Sequence, residues 1–335
     1  LSLMPVPFFA LALLFFVVYV ILPIFQSFYI SFHEWDGLGE MTWIGFDHYV
    51  NLLDDDRFYT SLKNNLLWLV FYTLSVPAGL FIALYLNQTV TGIRLYKSLF
   101  FFPFVISQIV VGLIFSWFYN PTFGVVGHVF EFFGAAPPSI LGDERYVTYG
   151  IIVAGLWPQI AYCMILYLTG LNNVTTEQIE AGRLDGAKGW RLLWHVVLPQ
   201  LWPATFLAIV VTVIGALRSF DMIAIMTQGG PYGSSNVLSY YMYETALSEY
   251  GYEMGYGSAI AVVLFIIMMV FMLSHIQRIS CSQLFLDNYP HRIHNVHLLQ
   301  HVLHLCLFQS NLLKGTDNKT VKGQLISKAK FKVFI

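Results

Sequence analysis

Residues 180–199 read EAGRLDGAKGWRLLWHVVLP, a small-residue, charged island set between two long apolar runs. A short helix is expected here, with Thr175 or Thr176 as N-cap and acids from Glu177 to Asp185 near its start, where the helix dipole favours them. Ala181, Gly182, Ala187 and Gly189 leave one side of that helix nearly bare, and Arg183, Lys188 and Arg191 give it charged edges. Such a helix suits docking against another surface better than packing in a core. Pro199 is expected to break the hydrogen-bond ladder and to separate the island from the apolar run that follows.

Outward from the island the chain reads as membrane. Of its 335 residues 57% are hydrophobic and 11% charged, against about 25% charged in an ordinary soluble domain, which excludes a soluble monomer. About 20 apolar residues cross a hydrocarbon core about 30 Å thick, and six runs qualify: 8–30, 64–86, 99–119, 148–170, 200–220 and 257–277. The first is too long for a signal-peptide core and lacks a small-residue cleavage site, so it reads as an anchor, interrupted by Pro23. The chain starts at Leu1 without a basic lead-in, and a short cytoplasmic segment is expected before it.

Lysines and arginines set the orientation. With both termini in the cytoplasm, Arg94, Lys97, Arg183, Lys188 and Arg191 fall in inner loops, while most acids, among them Asp54, Asp55, Asp56, Glu244 and Glu253, fall outside. Cys163, Cys281 and Cys306 are too widely spaced for a disulfide framework or a CxxC metal site, and no metal is expected. The fold expected is an all-α polytopic membrane protein of six transmembrane helices over 5–280, with a tail at 281–335.

Glu180, Ala181 and Gly182, then Gly186, then Val196 with Leu198 and Pro199, resemble the EAA loop in the membrane subunits of binding-protein-dependent ABC importers. Gly182 in place of alanine and valine at 196 are mild departures from that pattern. The resemblance implies a cytoplasmic coupling-helix loop between spans four and five that sits in a groove on an ATPase subunit. Glu180 and Gly186 would be its central contacts and Asp185 an edge contact. Residues 220–233 (FDMIAIMTQGGPYG), 236–247 (NVLSYYMYETAL), 255–263 (GYGSAIAVV) and 44–66 further resemble permeases of the maltose, lactose and glycerol-phosphate uptake type. Implied partners are a second homologous permease, two ABC ATPase subunits, an extracellular solute-binding protein, a carbohydrate and the bilayer of a bacterial or archaeal cell membrane. No nucleic acid is implied. The chain has no GxxxxGK[ST] loop, so ATP and magnesium belong to the partner ATPase and no cofactor is expected here.

Polar residues in apolar runs normally face a cavity or a partner. Arg218 and Asp221, one turn apart, are candidates for a substrate path or for a pair at the interface. Asn65, Gln108, Trp157 and Gln159 could offer amides and an aromatic face to a sugar, or serve as caps and interhelical bonds. Gly229, Gly230 and Pro231 form a turn that either docks the binding protein or is structural. A self-contained secondary transporter or channel would favour buried mid-span acids or histidines, of which there are almost none, and an intramembrane enzyme would need a catalytic constellation that is absent. His291, His294, His297, His301 and His304 share a helical face. That tail resembles nothing in the family and reads as an unrelated extension.

Overall fold

The structure is a computed structural model and describes residues 5–88, 91–248 and 252–288. The histidine stripe and the lysine-rich end lie outside the described residues.

The first apolar run forms α1 (Pro5–Phe16) and α2 (Leu22–Ile30), joined by a π-helical segment, Val17–Ile21. Pro23 does not interrupt this helix. It cannot donate to the carbonyl of Tyr19 and its ring crowds that carbonyl, so the turn before it widens to π and the helix continues. Many of its apolar side chains from residue 10 onward are exposed, Phe25 and Tyr19 among them, as expected for a helix solvated by lipid, while Phe28 packs edge-on against Phe265. A two-stranded hairpin, β1 (His33–Glu34) with β2 (Thr42–Trp43), and α3 (Asp47–Leu53) lead to α4 (Asp56–Thr73) and α5 (Ser75–Leu86). These last two make a single apolar helical stretch of 31 residues, which starts at Asp56 and so earlier than hydropathy suggests. Asp55 caps it, accepting from the Arg57 backbone at 2.9 Å.

The third run is not the straight span its composition implies. α6 (Ile93–Val105) and α7 (Gln108–Phe118) meet at 97°. Ile106 is extended, and Ser107 starts a new helix by accepting from the Val110 N–H at 3.4 Å. Pro103, already inside α6, removes one bond of the ladder just before the break. After α8 (Val125–Phe132) comes α9 (Val147–Asn172), 26 residues that carry Pro158 without a break.

The island forms α10 (Thr176–Leu184), α11 (Trp190–Leu192), a π-helical segment Leu193–Val197 and α12 (Leu198–Gln200). The break expected at Pro199 falls two residues later, at Leu201, where Trp190–Gln200 meets α13 (Trp202–Leu217) at 73°. The preceding turn has again widened to π ahead of a proline. α14 (Phe220–Met226), α15 (Leu238–Leu247) and α16 (Met254–Asn288) complete the described residues. The result is an all-α, multi-span membrane fold: among the described residues, four helices are long and apolar enough to cross a bilayer, or up to six counting each bent pair as one.

Three apolar clusters run along α4, α5, α9 and α13. They centre on Trp68, Tyr72 and Ile151, on Phe58, Leu217 and Ile260, and on Ala83, Met164 and Leu201. Lipid tails are as apolar as leucine, so close backbone approach and not hydrophobic expulsion drives helices together in a bilayer. Gly79 shows the device: a Cβ there would lie 2.5 Å from Cys163 Cβ and 2.8 Å from the Met164 nitrogen, so α5 rests directly on α9.

Candidate functional site

α10 ends in a motif that explains its glycine. Gly186 has φ +84°, its N–H donates to the Arg183 carbonyl at 3.1 Å, and the Ala187 N–H reaches back to Gly182 at 2.9 Å. This is a left-handed helix stop, which L side chains adopt only under strain. Open space surrounds the position, so backbone conformation and not crowding demands glycine within this chain.

The start of α10 departs from the expected cap. Thr175 is the N-cap, but its hydroxyl makes no bond to the helix. Its N–H and Oγ1 both donate to Oε1 of Gln200 at 3.1 Å, and Gln200 Nε2 donates to the Val196 carbonyl at 3.0 Å. The small-residue face is likewise corrected. A Cβ on Gly182 would lie 2.9 Å from Val196 and 3.2 Å from Leu192, so this glycine seats α10 on its own chain. The opposite side stays open: Glu180, Ala181, Asp185 and Gly186 are exposed and Leu184 is 89% exposed. Leu198 is half-buried and Pro199 exposed.

The loop holding Gly229, Gly230 and Pro231 is bonded inward. Thr227 and Ser235 join hydroxyls at 2.8 Å, and Ser235 donates to the Gly230 carbonyl at 2.7 Å. From α4, Asn64 donates to the carbonyls of Ser234 and Asn236 at 2.7 and 2.8 Å, while Asn65 accepts from the Leu238 N–H at 2.8 Å. Asn65 is therefore a buried cap on α15, 1% exposed, and faces no open path in this chain.

Beside it sits a cluster that sequence reasoning missed. Asp55 accepts from the hydroxyls of Tyr241 and Tyr256, and Arg57 pairs with Glu244 and lies 5.0 Å above the Tyr241 ring. Burial raises the Asp55 pKa, but the two hydroxyls and the Arg57 and Phe58 N–H groups outweigh it and hold the carboxyl below its ordinary value. Partners so far apart in sequence leave no local signal.

The remaining candidates are scattered. Gln159 donates to Thr212 at 2.9 Å, joining α9 to α13. Trp157 packs edge-on against Phe115, and Gln108 opens α7 with its Oε1 buried and unpartnered. Arg218 and Asp221 are exposed and line a cavity of about 460 Å³ with Ser27, Ser239 and Phe265. They are not one helical turn apart, because α13 ends at Leu217 and α14 begins at Phe220, and no ion pair joins them. Among the described residues, no three His, Cys, Asp or Glu side chains are placed to hold a metal.

Residues 75–281 match the family model described as binding-protein-dependent transport system inner membrane component. A probable ABC transporter permease protein of Pyrococcus horikoshii is 34% identical over 263 residues, covering 77% of this chain and 89% of that one. The multiple sugar-binding transport system permease protein MsmF of Streptococcus mutans is 33% identical over 253 residues, covering 75% and 86%. In fold, the chain is similar to one from a bacterial ABC transporter involved in import of the acidic polysaccharide alginate, with TM-score 0.70, 22% identity, and coverage of 81% and 94%.

Proposed function

The chain belongs to the family of binding-protein-dependent transport inner membrane components, and on that premise we propose that it forms half of a carbohydrate path driven by a separate ATPase. It is a permease subunit of an ABC importer, a transport component and not an enzyme. Relatives named for sugar transport support the carbohydrate reading.

In this reading each bent helix pair contributes one of six spans, both termini are cytoplasmic, and 5–280 is the permease domain. α10 is the coupling helix. Glu180, Ala181, Asp185 and Gly186 meet the ATPase, which holds ATP and magnesium, while Gly182, Leu198 and Pro199 shape the support beneath. A second permease completes the path, and a solute-binding protein docks near Gly229–Pro231. Closure of the ATPase pair moves the 177–190 loop, the spans rotate to receive sugar, and hydrolysis resets them. Arg218, Asp221, Gln108, Trp157 and Gln159 are the remaining path candidates, with Asn65 as their support.

The observation that carries this reading is the open side of α10, where an 89% exposed leucine lies beside exposed Glu180 and Gly186. The test is purification of the chain in mild detergent with identification and ATPase assay of whatever accompanies it. Recovery of an ATPase and a second permease is expected. Recovery of this chain alone, under conditions that preserve complexes, would overturn the assignment.

A further inference from the structure

We propose that the 190–200 helix lies on the bilayer surface, with Trp190 and Trp194 in the headgroup layer and Lys188 and Arg191 against anionic lipid phosphates. Three observations converge on lipid as the occupant of this face. The first is direction. In the six-span reading α13 crosses the membrane, and a helix bent 73° from it lies within about 20° of the bilayer plane when α13 stands along the normal. That reading puts its junction with α13 at the membrane boundary.

The second is which side faces where. Leu192 and Val196 are the side chains against Gly182, so α10 sits on their face. Trp190 and Trp194 come two residues earlier, roughly 200° around the helix, and so point away from α10. They are 70% and 53% exposed, with their rings 5.7 Å apart. Tryptophan concentrates at membrane–water interfaces because its ring is apolar and its N–H is not. Two of them on the side away from a water-facing helix match that layer.

The third is charge. Lys188 and Arg191, neighbours of Trp190 in the chain, are exposed, and His195, one turn after Arg191, has its Nδ1 against the Arg191 carbonyl. The acids of this region, Glu177, Glu180 and Asp185, belong to α10 or its cap, on the other side. Anionic headgroups attract such a basic flank. This inference rests on the reading of α10 as the helix that faces the ATPase, and adds that the membrane holds the support of that helix at a fixed height.

The test uses the full chain in nanodiscs, with Cys281 and Cys306 replaced by serine and nitroxide labels placed by Trp190→Cys, Trp194→Cys or Leu184→Cys. Collision with oxygen is compared with collision with a water-soluble nickel chelate, in phosphatidylcholine with and without phosphatidylglycerol, and with and without the co-purifying ATPase. Labels at 190 and 194 should favour oxygen over nickel several-fold more than the label at 184, in every condition. Phosphatidylglycerol should deepen that preference, and Lys188→Glu with Arg191→Glu should remove the gain. Labels at 190 and 194 as open to nickel as the one at 184, or shielded from both reagents, would overturn the proposal. A label at 184 that ignores the ATPase would sink the docking reading alone. If the cysteine variants fail to insert, quenching by brominated phosphatidylcholine replaces them. Trp190→Phe with Trp194→Phe should then remove part of the quenchable fluorescence, and an unchanged quenchable fraction would overturn the proposal.

Discussion

The 227–241 loop and the 175–200 loop both join helices of the same bundle, yet they satisfy their polar groups in different ways. In the first, asparagines from α4 and hydroxyls within the loop serve its backbone, and Ser235, Asn236 and Val237 are buried. In the second, Gln200 ties one end to the other, and Glu180, Leu184, Asp185 and Trp190 are left exposed. The first loop is held in shape by its own chain, whatever docks on its outer side. The second, in the reading proposed above, is shaped for something outside the chain, and stability and transport should separate along that line.

The largest effect on stability should come from Asn64→Ala, which leaves the buried Asn236 carbonyl without a donor and the part-buried Ser234 carbonyl with the Thr148 hydroxyl alone. At about 1–3 kcal/mol for a buried group left unsatisfied, the loss is roughly 1–3 kcal/mol from the Asn236 carbonyl, with a smaller addition from the weakened Ser234 contact. The thermal midpoint for reaction of the buried thiol of Cys163, in a Cys281→Ser, Cys306→Ser background, should fall clearly. An unchanged midpoint would break the comparison at its stronger end.

Gly186→Val should cost about 1–2 kcal/mol locally, through a backbone conformation that valine resists, with little change in that midpoint and loss of uptake. A midpoint that fell as far as that of Asn64→Ala would mean that α10 is part of the core. Asp55 offers a finer probe. Its folded pKa lies below the ordinary carboxylate value of 3.8, so its stabilisation is complete above that pH and is lost as pH falls through the folded value. Asp55→Asn should therefore flatten the acid limb of the stability curve, and a limb of unchanged slope would exclude this carboxylate as its source. Smallest of all in stability, Glu180→Lys should leave folding and insertion unaltered while uptake is abolished; near-normal uptake would refute its role.

Much of this was legible from sequence where the physics is local. Apolar runs of membrane length located both ends of α9 and the start of α16 within a few residues, and the EAA-like spacing singles out Gly186, though as a contact and not as the helix stop that it forms. What hydropathy could not see were the bends. Ser107 and Leu201 sit in continuous apolar text, and a helix breaks there because of a serine cap in one case and a single residue leaving helical geometry in the other. Pro23 and Pro199 misled in the opposite sense, since a widened turn absorbs each. The Asp55 cluster joins positions some 190 residues apart, and Asn65 and Gly182 have partners that only the packed chain reveals.

Gln200 gives the exposed loop a mechanical character. One amide grips the residue before α10 while holding the turn that precedes α13, so little slack remains in the intervening segment to absorb a push. The single non-helical residue after it, Leu201, is fully enclosed by the cluster around Met164 and Tyr167. A force applied at α10 therefore arrives as torque on a bearing already seated in the core of the bundle.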